Sequence, residues 1–240
     1  MAFVAATVQG AIGFGFTLIA VSFFLWIVQS GDAIQMLIVI NLVIAIALVG
    51  PVWRTVNWAL LVRLVIGALF GFPLGLMAFQ RAEVDQLKLL AAGAILTFVA
   101  FTVFRRGKVE AFPDAELRFR TPSALGIGVL AGSMTIALGM PGPPLVLYLT
   151  TLGAGKQATR SIAFTFFVVS YTVALILQAT AVGVSRSVWL ATAFLVPVAV
   201  VGSWLGHILA RHVSEAAFRT VVLTLVGATG ASVLLEVFLS

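Results

Sequence analysis

No Asp, Glu, Lys or Arg stands before Asp32, between Thr121 and Gly155, or between Ser161 and Ser185. Charge-free runs of this length leave the chain one kind of solvent. A hydrocarbon layer is about 30 Å thick and takes about 20 apolar helical residues to cross. Inside it every backbone N–H and C=O must pair internally, so only helices and closed barrels can span. The runs here are continuously apolar and do not alternate, which selects helices. Composition agrees: 62% of the 240 residues are hydrophobic and 9% are charged, against about 25% charged in a soluble domain. The expected fold class is an all-α polytopic membrane protein.

Apolar segments lie near 1–29, 33–50, 57–80, 84–104, 122–152, 160–182, 187–210 and 215–239. The one long polar stretch, "RRGKVEAFPDAELRFRT" from Arg105 to Thr121, separates a first half (1–104) from a second (122–240). The halves echo each other. Gly15 and Gly142, Leu18 and Leu145, and Gly75 and Gly202 each stand 127 positions apart. Both halves carry small residues four apart in their third segment, Gly67-Gly71-Gly75 and Gly202-Gly206, a flat ridge for close helix packing.

Each half also begins with a broken helix. "VQGAIGFGFTLIAV" places Gly10, Gly13 and Gly15 inside the first segment, and "IALGMPGPPLVLYL" places Gly139, Pro141, Gly142, Pro143 and Pro144 inside the fifth. If all eight segments cross, the positive residues divide eight against six between the two sides. If the two broken segments enter and leave on one side, the division is eleven against three, with only Arg81, Lys88 and Arg186 on the minority side. Positive residues favour the cytoplasmic side of short loops, so the second arrangement is expected. Three spans per half then make the second half insert upside down. The expectation is two inverted repeats, each a broken re-entrant helix pair plus three transmembrane helices, joined by a cytoplasmic linker at 105–121. This is a common plan among secondary transporters.

Broken helices expose backbone groups, which lipid tolerates only where they line a cavity or are buried in protein. A half-helix starting near Phe16, and another starting at Pro143-Pro144, would present the positive end of a dipole to an anion. Gly13, Phe14, Gly15 and Phe16 in the first break, and Gly139, Met140, Pro141, Gly142 and Pro143 in the second, are therefore candidate substrate-binding residues, the turning assigned to Gly13–Gly15 and to Gly139 with Gly142. Polar residues within segments are few. Gln9, Asn41 and Thr135 are candidate donors, Gln178 a fourth polar group, and His207 a possible proton acceptor. No Asp or Glu falls in the middle of a segment, where a cation pathway would want one. Arg54, Lys156 and Arg160, near segment ends, would attract an anion at long range.

Cysteine is absent, so there is no thiolate metal site or disulfide, and no metal or cofactor is expected. The net charge of +6 reads as lysines and arginines flanking spans, with the lipid bilayer and a small anion as partners and no nucleic acid. The oligomeric state is not legible. No Lys or Arg precedes Arg54, so the charged start of a signal peptide is missing.

"VQGAIGFGFTLIAV", "WRTVNWALL" and "GALFGFPLGLMA" resemble the first half of sulfite exporter TauE/SafE family permeases. "GVLAGSMTIALGMPGPPLVLYLTTLG", "KQATRSIAF" and "GSWLGHILARHVSEAAFRTVVLTLVG" resemble the second. The resemblance runs in order over nearly the whole chain. It implies an inner-membrane carrier with duplicated halves that moves small anions, often sulfite, sulfoacetate or other sulfonates. The chain departs from the commoner first motif, whose glycines are adjacent, by interleaving Phe14 and Phe16, and Met140-Pro141 replaces a small or polar residue. Two other readings use the same residues: a passive anion channel, and an intramembrane hydrolase built on Ser133 and His207, although Ser133 lacks a glycine on both sides.

Overall fold

The structure, a computed structural model, describes residues 1–104 and 121–209. Those residues form helices α1 (Ala2–Ile12), α2 (Phe16–Val28), α3 (Asp32–Val49), a 3-10 turn (Gly50–Thr55), α4 (Trp58–Arg81), α5 (Val84–Phe104), α6 (Thr121–Leu138), α7 (Gly142–Thr151), α8 (Lys156–Ala181) and α9 (Arg186–Leu209). The chain is an all-α polytopic membrane protein. Among the described residues, four stretches are long and apolar enough to cross a bilayer: 32–55, 58–81, 156–181 and 186–209. The linker and the segment at 215–239 lie outside the described residues.

Both breaks fall where the glycines stand. Gly13 caps α1 at φ 102° and Gly15 precedes α2 at φ 115°. These angles cost an L side chain about 1–2 kcal/mol, and glycine adopts them freely. The second break turns at Gly139, φ 64°. Gly142, expected to share that turn, is instead the first residue of α7. It precedes Pro143, and the helical clash ahead of a proline falls partly on Cβ. Glycine has none. At about 1.5 Å per residue, α1, α2 and α7, with 11, 13 and 10 residues, are each too short to cross alone.

Contacts fix the directions of the helices. Gln35 Nε2, at the start of α3, donates to the Gly183 carbonyl just past α8 (2.8 Å), and Ser185 Oγ donates to Asp32 Oδ2 (2.8 Å). At the opposite end Ser161 Oγ, near the start of α8, donates to the Thr55 carbonyl (3.3 Å). Helices α3 and α8 therefore run antiparallel. A Cβ on Gly31, ahead of α3, would meet the ring of Phe79 near the end of α4, so α4 opposes α3. One end of the bundle thus gathers the start of α3, the turn between α4 and α5, and the turn between α8 and α9. Their residues, including Asp32, Gln80, Val84 and Val182, line one wide cleft.

The glycine ridges set the closest pairs. A Cβ on Gly67, Gly71 or Gly75 of α4 would run into the carbonyls of Leu125, Val129 and Ser133 of α6. Both sets of numbers rise together, so α4 and α6 are parallel with backbones in contact. Gly202 and Gly206 of α9 meet the carbonyls of Phe3 and Thr7 of α1 in the same way. Since α9 leaves the cleft end, α1 points away from it, and α2 comes back to it through the three residues before α3. In the other half, Ser123 Oγ near the start of α6 donates to Tyr148 Oη late in α7 (3.4 Å), a contact that only a folded-back pair can make.

Candidate functional site

The two breaks meet. Thr17 Oγ1, one residue into α2, donates to the Gly139 carbonyl at 2.7 Å, and a Cβ on Gly142 would lie 3.5 Å from Cβ of Phe14. Between them is a cavity of about 10 Å³, close to the least that holds one water. Seven of the residues singled out in the sequence line it: Gln9, Phe14, Gly15 and Asn41, then Met140, Gly142 and Pro143. Thr17, Leu18, Phe167 and Tyr171 complete the lining. No charged side chain is among these.

The polar groups are arranged around the breaks. Gln9 Oε1 accepts from the Phe16 N–H at 3.0 Å, so a side chain from the last turn of α1 caps the first turn of α2. Its Nε2 is buried without a hydrogen-bond partner. Asn41 Nδ2 donates to Thr17 Oγ1 (2.9 Å) and to the Leu37 carbonyl (2.8 Å). Tyr171 Oη donates to the Gly139 carbonyl at 3.0 Å, and its ring packs 5.7 Å from that of Phe167. Gln178 Nε2 holds the Ile136 carbonyl of the last turn of α6 (2.8 Å).

The two half-helix starts are not equal. Helix α2 offers ordinary N–H groups, one of them already capped by Gln9. Helix α7 has Pro143 and Pro144 in its first turn, which carry no N–H, so it contributes a dipole with few donors. Gly13, Phe16, Thr135, Gly139 and Pro141 stand outside the cavity lining. Thr135 is turned into its own helix, donating to the Ala131 carbonyl at 2.6 Å.

The basic residues separate into two kinds. Arg54 and Lys156 are exposed at the end of the bundle away from the wide cleft. Arg160 differs from the expectation. Helix α8 starts at Lys156, four residues ahead of the 160–182 segment, which puts Arg160 one turn inside the helix and only 6% exposed. Its Nη2 donates to the Gly10 carbonyl at 3.1 Å and lies 2.7 Å from His207 Nδ1. The last carbonyls of a helix are unpaired and carry its negative dipole end. Arg160 therefore closes α1 at the break, with its stem against Gly13, where any Cβ would meet Cγ of Arg160 at 2.8 Å. His207 faces this guanidinium and does not line the cavity. Among the described residues no group of His, Cys, Asp and Glu could hold a metal ion.

Thr17 and Tyr171 were not singled out by their sequence context. Thr17 directly follows the expected start of a half-helix. Tyr171 is one of two tyrosines in the chain, four residues after Phe167, so the pair shares one helix face.

The family model described as sulfite exporter TauE/SafE matches residues 1–233. The chain belongs to that family. It is accordingly a multi-pass membrane permease of a family that transports anions, and its members are transporters and not enzymes. Searches of curated proteins and of solved structures each found no match.

Proposed function

We propose that the chain is a secondary transporter of small anions, sulfur-containing ones such as sulfite, sulfoacetate or another sulfonate, that works by alternating access around its two helix breaks. The observation that carries this reading is the meeting of the breaks at one buried cavity with neutral donors and no charged side chain. A neutral, donor-rich lining suits an anion that must be released as well as bound. Dipole ends contribute about 0.3–2 kcal/mol per charge, which corresponds to weak affinity. The apolar walls, Phe14, Met140 and Phe167, suit an organic substituent beside the charged head.

The two halves act as inverted repeats in this reading. Pairing α1 with α6, α3 with α8 and α4 with α9 exchanges the two close helix pairs, and α3 opposes α8 as inversion requires. Arg81, Lys88 and Arg186 belong to the cleft end, which makes that end extracytoplasmic by the charge rule. The linker and Arg54 are then cytoplasmic, in the inner membrane.

Purified protein in liposomes should accumulate radiolabelled sulfite or a small sulfonate saturably, and faster when the same anion is loaded on the opposite side. That acceleration belongs to a carrier, which must return for each anion. Flux without saturation or acceleration would identify a channel, and no flux of any anion in a panel of sulfite, sulfonates and carboxylates would end the proposal.

A further inference from the structure

The cavity between the breaks is too small for any sulfur oxyanion, so the described conformation is a closed one, and something must hold it closed. The Gly139 carbonyl is held by two hydroxyls at once. Thr17 Oγ1 reaches it from α2 at 2.7 Å, and Tyr171 Oη reaches it from α8 at 3.0 Å. A carbonyl oxygen has two lone pairs, so both bonds are satisfied together. Thr17, Tyr171 and Gln9 are each at least 96% buried, and all three line the cavity. Gln9 Nε2 is a donor with no hydrogen-bond partner there, which is costly in a buried site unless a ligand supplies the acceptor.

We propose that Thr17, Tyr171 and Gln9 are the anion-recognising donors, and that the Gly139 carbonyl occupies two of them as a latch that the substrate releases. This rests on the transport reading above. An anion entering the cavity competes with the carbonyl for the same two hydrogens. It is the better acceptor, because hydrogen bonds to an ionised group are about twice as strong as neutral ones. The carbonyl oxygen and the anion also repel each other, so the peptide at Gly139 must turn aside. Glycine at φ 64° has the freedom to do so. Asn41 keeps Thr17 aimed throughout, since it donates to the lone pair of the same hydroxyl that stays free.

The latch joins the halves. Thr17 belongs to the first and Gly139 to the second, so exchanging the Thr17–Gly139 bond for a Thr17–anion bond removes a tie across the junction. Occupancy is thereby coupled to the separation of the two breaks, which is the differential affinity that a ligand needs in order to shift a conformational equilibrium. Three donors converging from different helices match the three oxygens of a sulfite or sulfonate head.

The test uses sulfite uptake by proteoliposomes of the full chain. Tyr171→Phe and Thr17→Val each delete one donor and should raise KM for sulfite about tenfold or more. Thr17→Ser keeps the hydroxyl and should stay within about twofold of the native chain. Sulfite uptake with KM unchanged in Tyr171→Phe and Thr17→Val would overturn the latch alone, whatever their melting temperatures. If the native chain takes up a sulfonate and not sulfite, that sulfonate is the probe; no uptake of any anion in the panel of sulfite, sulfonates and carboxylates would overturn the transport reading and the latch with it. Should those variants fail to reach the membrane, a Tyr148→Phe chain leaves Tyr171 as the sole tyrosine. Its infrared difference spectrum on adding sulfite, with ring-labelled tyrosine, must then show a shifted C–OH band. An unshifted band at saturating sulfite would overturn the proposal.

Discussion

Gly142→Leu is expected to insert and fold but to reduce anion uptake to the background of empty liposomes. Apart from its chain neighbours, a Cβ at this position makes only ordinary contacts, 3.5 Å from Phe14 and 3.8 Å from Phe167, so the backbone cost is confined to the strain ahead of Pro143. The rest of the leucine side chain has nowhere to go except the junction cavity of about 10 Å³. Overpacking of this kind costs about 1–3 kcal/mol, tolerable for a helical bundle, whereas the space for the anion is removed outright. Gly71→Leu should behave in the opposite way. Its Cβ would lie on the Val129 carbonyl, and backbone in the interior of a helix cannot give way as a side chain can. We expect a loss at or beyond the upper end of that ~1–3 kcal/mol range, visible as aggregation or a lowered melting temperature in detergent. Gly93→Leu, where no atom lies within 4 Å of the added Cβ, should change neither. Normal uptake by Gly142→Leu would mean that the junction is not the site.

Arg160→Gln should lose most uptake at every salt concentration, while Arg54→Gln and Lys156→Gln should slow uptake only at low salt. The difference follows from burial. Arg54 and Lys156 are exposed, and charges in water act over about 10 Å at 0.1 M salt. Arg160 is buried against the Gly10 carbonyl and His207, where ions do not screen it. Removing its guanidinium leaves a buried carbonyl unpaired, at about 1–3 kcal/mol, and frees the end of α1 that positions Gln9. Uptake rates measured at 20 and 500 mM salt would separate the two classes. Recovery of Arg160→Gln at high salt would show that it acts at long range, as the other two do.

The broken helices were legible because glycine and proline act locally. Gly13, Gly15 and Gly139 take backbone angles that other residues rarely adopt, so their positions in the sequence mark the breaks directly. The packing ridges were legible for the same reason, since Gly67, Gly71 and Gly75 could serve only where another backbone comes close. Gly142 reads as a turn in the sequence and starts α7 in the structure, because a glycine before proline suits a helix start equally well and only the backbone angle decides. The apolar segment near 160–182 begins four residues after the start of α8, because Lys156 and Arg160 are charged and charge in a sequence reads as the end of a span. Arg160 is inside because the end of α1 supplies it with a carbonyl, a contact between residues 150 positions apart. Thr17 and Tyr171 were missed for a related reason: a hydroxyl in an apolar helix usually bonds to its own preceding turn, as Thr135 does, and nothing local says that these two reach across to Gly139.

The central claim is that two oppositely inserted halves bring their helix breaks together, and labelling of single cysteines tests it most directly. The chain has no native cysteine, so Arg54→Cys, Gln80→Cys, Gly155→Cys and Ser187→Cys each give one reporter in intact cells for a reagent that cannot cross the membrane. All four positions are exposed or open. The account predicts labelling of the cysteines at 80 and 187 from outside, and protection of those at 54 and 155 until the membrane is permeabilised. Labelling that put 80 and 187 on opposite sides would mean that the second broken segment crosses the membrane as a single rod, and would contradict it.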